Sequence, residues 1–264
     1  MPSNVTQVIA HRGASAAAPE NTLAAFQLAW AQGVDGVECD IRLSADQQII
    51  CLHDADTARV GDQQLVAAEA AYADLAQVCL PGGNAAEAAR IPLLQSVLEQ
   101  KPANSQLLIE VKTGAAIVPQ LIQLLQQVGT DLTTLIVIAF DAEVLAAIKQ
   151  QCPELRAYCL LYKEHPYLRS EHFDLKGLDT YLSACRADGL GCEFGTALNA
   201  QRVQALYELG YAVNVWTVDC PQAVIQLAQM GVHSVTSNHA QLCYQALQNL
   251  DQLNPNYANG FFEH

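Results

Sequence analysis

Two histidines and three carboxylates stand where short apolar runs of the chain stop. His11 follows Val8-Ile9-Ala10 and opens His11-Arg12-Gly13. Glu38-Cys39-Asp40 ends a second run, His53-Asp54 follows Ile49-Ile50-Cys51-Leu52, and Glu110-Val111-Lys112 closes Leu107-Leu108-Ile109. Residues two apart on a strand face the same way, so Glu38 pairs with Asp40 and Glu110 with Lys112. Three carboxylates converging near one point repel unless a cation sits among them, and an all-oxygen donor set selects a hard divalent ion, Mg²⁺ or Ca²⁺. Two imidazoles beside them can divide general-acid and general-base work. The rival reading makes the histidines themselves ligands, as in sugar isomerases or amidohydrolases, which favours Mn²⁺, Co²⁺ or Zn²⁺. Arg12 suits a bidentate grip on phosphate and Lys112 supplies a point charge, so an anionic substrate is expected. Taken singly, each residue has a plainer role: an acid in a salt bridge, a histidine in a structural hydrogen bond, Arg12 paired with Glu20, Glu38 or Asp40. Together they favour chemistry. His165, His172, His233 and His239 have no comparable setting.

Positioning such a set takes strands that end at one place. Runs rich in Val, Ile and Leu predict strands at Val8–Ala10, Gly36–Asp40, Ile49–His53, Leu107–Lys112, Leu135–Phe140, Ala157–Leu161, Leu190–Glu193, Ala212–Val218 and Ser234–Thr236. Helical spacing covers Thr22–Gln32, Leu93–Glu99, Ile117–Val128, Ala142–Gln151, Ala200–Leu209, Pro221–Met230 and Leu242–Leu250. Alternation of strand and helix over this length predicts a parallel sheet closed into a TIM-type (β/α)8 barrel. Between Asp40 and Ile49 there is no room for a crossover helix. Val37–Leu43 and Gln48–His53 are therefore expected to form a β-hairpin after strand 2 around Ser44-Ala45-Asp46-Gln47, with Leu43 opposite Gln48 and Glu38 opposite His53. Residues 55–91, Ala-rich and carrying Pro81-Gly82-Gly83, read as a small helical insertion in a single barrel domain of residues 1–264, and 254–264 as a C-terminal tail. Pro19-Glu20-Asn21-Thr22 opens the first helix, and capping alone accounts for it. Trp216-Thr217 ends a late strand, where an aromatic serves as pocket wall or as core. Glu193 ends the seventh barrel strand without an evident role.

Composition narrows the functional class. The 264 residues include 51% hydrophobic and only 15% charged residues, with a formal net charge of −14. That balance argues against nucleic acid, an anionic membrane surface or a stable membrane association. No run is long enough to span a bilayer, and the N-terminus shows no secretory signal, so a cytoplasmic location is expected. The nine cysteines are scattered with no Cys-x-x-Cys pair, consistent with small buried thiols rather than a zinc site.

The ordered motifs His11-Arg12-Gly13, Pro19-Glu20-Asn21-Thr22, Glu38-Cys39-Asp40, Leu43-Ser44-Ala45-Asp46, His53-Asp54, Ile91-Pro92-Leu93-Leu94, Glu110-Val111-Lys112 and Trp216-Thr217-Val218 resemble those of the glycerophosphodiester phosphodiesterase family. The likeness runs from about residue 7 to about residue 240. It implies a TIM-type barrel, His11 and His53 as the acid/base pair, and Glu38, Asp40 and Glu110 as holders of one divalent cation, Mg²⁺ or Ca²⁺. It further implies Arg12, Lys112 and Trp216 as substrate-binding residues, with Glu20 and Asn21 as support. The reaction implied is hydrolysis of a small-molecule glycerophosphodiester to glycerol 3-phosphate and an alcohol. Three departures stand out: Asp46-Gln47 in place of the family's Asp-Gly, Thr236-Ser237-Asn238 at the last strand, and no Arg-Thr dipeptide after His53. Alternatives on the same fold are a lysophospholipase D, which needs an apolar channel or membrane patch, and a silent phosphate-ligand binding barrel, which has no need of two histidines. A metal-dependent sugar isomerase lacks its own motif set here.

Overall fold

In the computed structural model, residues 5–82, 89–169 and 173–253 are described, and the tail expected at 254–264 lies outside them, as does His172. Among the described residues there are nine strands: β1 (Gln7–Ala10), β2 (Gly36–Leu43), β3 (Ile49–Cys51), β4 (Gln106–Val111), β5 (Leu135–Ala139), β6 (Arg156–Leu161), β7 (Gly189–Glu193), β8 (Ala212–Trp216) and β9 (Ser234–Ser237). Their order is β1-β9-β8-β7-β6-β5-β4-β2-β3, and a further β1–β2 pairing closes eight parallel strands into a barrel. The helices are α1 (Leu23–Ala31), α2 (Tyr72–Leu75), α3 (Leu94–Gln100), α4 (Val118–Val128), α5 (Ala142–Gln151), α6 (Leu175–Ala184), α7 (Ala200–Glu208), α8 (Pro221–Gln229) and α9 (Ala240–Leu253).

Strand periodicity sorts the sheet's two faces. Val37, Cys39 and Ile41 of β2, like Leu107, Ile109 and Val111 of β4, turn outward into the large core under the helices. Ile9, Leu108, Ile136, Ile138, Tyr158 and Leu160 turn inward and fill the barrel. The barrel is thus a packed plug, and the inward residues near the strand ends reach the mouth. Gly191 on β7 belongs to this packing: a Cβ there would sit 2.6 Å from Leu160 Cδ2.

The hairpin differs from expectation by one residue. Leu43 faces Ile49, Arg42 faces Ile50 and Ile41 faces Cys51. Ser44 N donates to Gln48 O and Gln47 N to Ser44 O, leaving a three-residue loop in which Gln47 is left-handed (φ 61°). A turn of this type wants glycine at that position, and Gln47 holds it at a cost of about 1 kcal/mol. Continuing this register sets His53 across from Cys39 rather than Glu38, and His53 itself leaves the strand. A second difference is α6, for which sequence spacing shows no helix. Gly177 in its first turn lowers helical propensity, but a Cβ there would lie 2.6 Å from the Tyr167 ring, so packing selects glycine. Asp174 Oδ1 caps the helix by accepting from Gly177 N at 2.9 Å.

Between β3 and β4, Ile50, Leu52, Ala67, Leu75, Val78, Leu80 and Ile91 form a small separate core. The one helix among its described residues is the single turn α2; the rest is turns and the isolated bridges Asp56–Val66 and Leu80–Ala89. No helix among the described residues is long and apolar enough to cross a membrane.

Candidate active site

The inward file of each strand delivers its last side chain to one end of the barrel. Glu38 and Asp40 from β2 and Glu110 from β4 place carboxylate oxygens within 4.8 Å of one another. All three are buried, Asp40 completely. Asp40 and Glu110 are direct neighbours in the β2–β4 register. Glu38 is pushed well above the usual carboxylate range by burial, then by repulsion from Asp40 and Glu110. Glu110 is raised by burial and by Asp40, against the pull of Lys112. Glu38 Oε1 and Asp40 Oδ1 are buried with no aligned hydrogen-bond donor. Orphaned, crowded carboxylate oxygens of this kind fit a hard divalent cation.

Arg12 reaches this cluster through a left-handed turn. Arg12 (φ 57°) and Gly13 (φ 79°) are consecutive left-handed residues, and a Cβ on Gly13 would lie 2.6 Å from the backbone of Ala25. The turn aims Arg12 N at Glu38 Oε2 (2.9 Å). The guanidinium sits 3.1 Å from Asp40 Oδ2, an ion contact without hydrogen-bond alignment, and donates to Glu20 Oε1 at 2.9 Å. Lys112 Nζ donates to Glu110 Oε1 at 2.6 Å and lies 3.3 Å from Asp40 Oδ1. Burial opposes the charge on Lys112, but Asp40 and Glu110 outweigh it and hold the ammonium above its usual range.

The tetrapeptide before α1 does more than cap. Thr22 Oγ1 accepts from Ala25 N (3.2 Å) as an N-cap. Asn21, left-handed and buried, instead grips Asp40 twice: its Nδ2 donates to Asp40 Oδ2 (2.7 Å), and its Oδ1 accepts from Asp40 N (3.0 Å).

Both histidines have a partner on Nδ1. His11 Nδ1 lies 2.7 Å from Asn238 Oδ1. Asn238 Nδ2 donates to Asp219 Oδ2 (2.8 Å), so its carbonyl end faces the imidazole. His11 therefore carries its proton on Nδ1 and turns Nε2 towards Glu38 Oε2, 3.9 Å away. Burial, then Arg12, lowers its pKa. His53 Nδ1 pairs with Asp54 Oδ1 at 2.7 Å. Its pKa is also lowered, by burial against the opposing pull of Asp40 and Asp54. Arg42 fixes the loop by donating from Nε and Nη2 to His53 O at 3.0 and 2.8 Å.

Sequence reasoning noted Asn238 only as part of the departure Thr236-Ser237-Asn238 and gave it no role, and it passed over Asp219 and Arg59. Asn238 is 227 residues from His11. Its signal was barrel closure itself, since Ala10 pairs with Ser237. Arg59 donates from Nε to Asp54 Oδ2 (2.6 Å) and from Nη1 and Nη2 to Glu20 Oε2 and Oε1 (2.8 and 2.7 Å), tying the partner of His53 to the partner of Arg12. Glu193, without a role in the sequence, pairs with Lys163 Nζ at 3.2 Å. His165, His233 and His239 stay outside the cluster. Trp216 lines a cavity of about 30 Å³ together with His11, Glu38, Glu110 and Phe140. A larger groove of about 270 Å³, lined mainly by glutamines of the hairpin tip, α3 and α4, holds none of these groups.

With this geometry in place, comparison with known proteins is specific. Residues 11–242 match the Glycerophosphoryl diester phosphodiesterase family. A Mycobacterium tuberculosis protein named "Probable glycerophosphodiester phosphodiesterase 1" is 30% identical over 257 residues, covering 88% of this chain and 89% of that one. The "Glycerophosphodiester phosphodiesterase" of Caldanaerobacter subterraneus subsp. tengcongensis is 27% identical, covering 86% and 99%. Among solved structures, an Oleispira antarctica phosphodiesterase in complex with the product sn-glycerol-3-phosphate superposes with a TM-score of 0.80 at 24% identity, covering 92% and 97% of the two chains. That likeness carries the barrel fold; the family match carries the activity. The chain belongs to the glycerophosphoryl diester phosphodiesterase family, whose members hydrolyse glycerophosphodiesters.

Proposed function

We propose that this protein cleaves glycerophosphodiesters to glycerol 3-phosphate and an alcohol with His11 and His53 as the acid/base pair and one Mg²⁺ or Ca²⁺ among Glu38, Asp40 and Glu110. The observation that carries it is the buried trio with two orphaned oxygens, flanked by two imidazoles whose Nδ1 atoms are both occupied. A cation bound there supplies Lewis-acid polarisation of the phosphoryl oxygens. Arg12 and Lys112 add positive charge on the same side and bind the phosphate. Glu20 and Asn21 hold Arg12 and Asp40 in place.

The partners divide the histidines' duties. His11 leans on a neutral amide carbonyl, a weaker support for an imidazolium than a carboxylate, so its free Nε2 takes the proton of the nucleophile, a water or the neighbouring glycerol hydroxyl. His53 leans on the Asp54 carboxylate, which stabilises the protonated ring, so it delivers a proton to the leaving alkoxide. Trp216 walls the substrate cavity. We further read the chain as a single cytoplasmic barrel domain with 55–91 as an insertion, acting on a small molecule and on neither nucleic acid nor membrane.

The test is release of glycerol 3-phosphate from glycerophosphocholine and glycerophosphoglycerol with Mg²⁺, Ca²⁺ or EDTA, for wild type, His11→Ala and His53→Ala. The expected outcome is cation-dependent release that falls by about 10²–10⁴ in kcat in each variant. Full activity in EDTA overturns the cation's role, and an active His11→Ala overturns the base.

A further inference from the structure

The mouth of the barrel has two halves. Strands β1, β2 and β4, with the loop after β3, end in the charged groups described above. Strands β5 to β8 end in aromatic rings: Phe140 follows β5, Tyr162 follows β6, Phe194 follows β7, and Trp216 is the last residue of β8. Phe140 and Tyr162 stack at 4.6 Å between centroids and 21° between planes. Trp216 meets both edge-on, at 5.6 Å from Phe140 and 5.8 Å from Tyr162. Phe194 N donates to Trp216 O, which brings the fourth residue beside the cluster. Tyr162 is 56% exposed and Phe194 43%, the two exposed rings among the described Phe, Tyr and Trp residues.

We propose that this aromatic corner binds the head-group arm of the diester and selects a quaternary ammonium, choline, over polyol head groups. The proposal rests on the hydrolysis reading above and adds the substrate. A glycerophosphodiester has two arms on one phosphate. The glycerol arm carries two hydroxyls and needs polar partners, which the charged half supplies and the rings do not. The other arm then crosses the cavity that Phe140 and Trp216 share with His11, Glu38 and Glu110. A trimethylammonium is weakly hydrated, carries positive charge on its methyl surface and gains from ring faces, whereas a polyol loses hydration there. The charge of the site agrees. The chain's formal net charge is −14, and Lys163 beside the rings is neutralised by Glu193 at 3.2 Å, so it does not oppose a cation. A long acyl chain needs a continuous apolar channel, and the exposed surface here is two rings beside an ion pair.

The experiment compares kcat/KM for glycerophosphocholine, glycerophosphoglycerol and a lysophosphatidylcholine in wild type, Tyr162→Leu, Tyr162→Phe and Phe194→Leu. The expected wild-type preference for the choline diester over the glycerol diester is about tenfold. Leucine keeps apolar area but has no ring face, so each Leu variant lowers that ratio several-fold while Tyr162→Phe retains it. Equal turnover of the two diesters overturns the head-group assignment and leaves hydrolysis standing. A preference that survives both Leu variants overturns it as well, as does faster turnover of the lysolipid that falls in those variants. Silence of wild type towards both diesters overturns the hydrolysis reading itself.

Discussion

The two ends of the barrel use the same residue types to opposite effect. At the end where the strands begin, Asp188 accepts from Ala157 N at 2.8 Å and from Lys149 Nζ at 3.1 and 2.8 Å. Lys149 also reaches Leu155 O at 3.2 Å. Asp35 likewise accepts from Val8 N at 2.7 Å. These acids close off the sheet's first residues. At the end where the strands finish, Glu38 and Asp40 each keep an oxygen without an aligned partner, with a third carboxylate beside them. Satisfied carboxylates hold a fold together. Unsatisfied, crowded ones cost stability and persist where they serve chemistry. The difference separates acids that the fold satisfies from acids left open to a ligand.

Replacing one acid at each end breaks the comparison open. Glu38→Gln is expected to lower kcat by about 10³, several kcal/mol of lost electrostatic stabilisation, in the glycerol 3-phosphate assay. The same variant should raise the Tm of the cation-free protein, because a crowded buried charge is gone while the amide oxygen can still accept from Arg12 N. A lower Tm would put Glu38 with the structural acids. Asp188→Ala is expected to do the reverse. It should cost about 1–3 kcal/mol in denaturant unfolding, since Ala157 N–H and Lys149 lose their acceptor, with kcat unchanged. A fall in kcat without loss of stability would erase the distinction.

The smallest effect sharpens the comparison through pH. Glu38 and Glu110 have folded values raised above the unfolded carboxylate range, so their neutral forms favour folding at low pH, and that stability is lost as pH rises through the folded values. A divalent cation relieves the repulsion. Its addition should therefore raise Tm more at pH 8 than at pH 5, by about 2–4 °C or more by calorimetry. An equal gain at both values would mean that the cation, if it binds, binds elsewhere.

Much of this was legible in the residues. The strand–helix rhythm and the hairpin followed from spacing, and the acid trio followed from two-residue alternation on β2 and β4. What was not legible depended on context that local pattern does not carry. The hairpin register turned on Gln47 adopting a left-handed backbone without being glycine. Helix α6 was hidden by Gly177, which packing against Tyr167 demands although helical propensity argues against it. In Pro19-Glu20-Asn21-Thr22, local pattern explained Thr22 as a cap, and only the family resemblance pointed to Asn21 as support, without its grip on Asp40. Asn238 acts on a partner remote in the chain, visible only once β9 lies against β1, and Arg59 ties nearby Asp54 to distant Glu20.

That last pairing bears on when the enzyme becomes competent during its own synthesis. His11 emerges early, but the amide that orients it arrives just after β9, the last strand of the described residues, and the ring of strands cannot shut until β9 slots between β8 and β1. A nascent chain halted before Ser237 would hold every acid of the trio and both histidines, and would still lack the orienting amide. Phosphodiesterase turnover is thus a readout of barrel completion. A ribosome-stalled series of increasing length should stay silent and then switch on over the few residues that carry Ser237 and Asn238 clear of the exit tunnel.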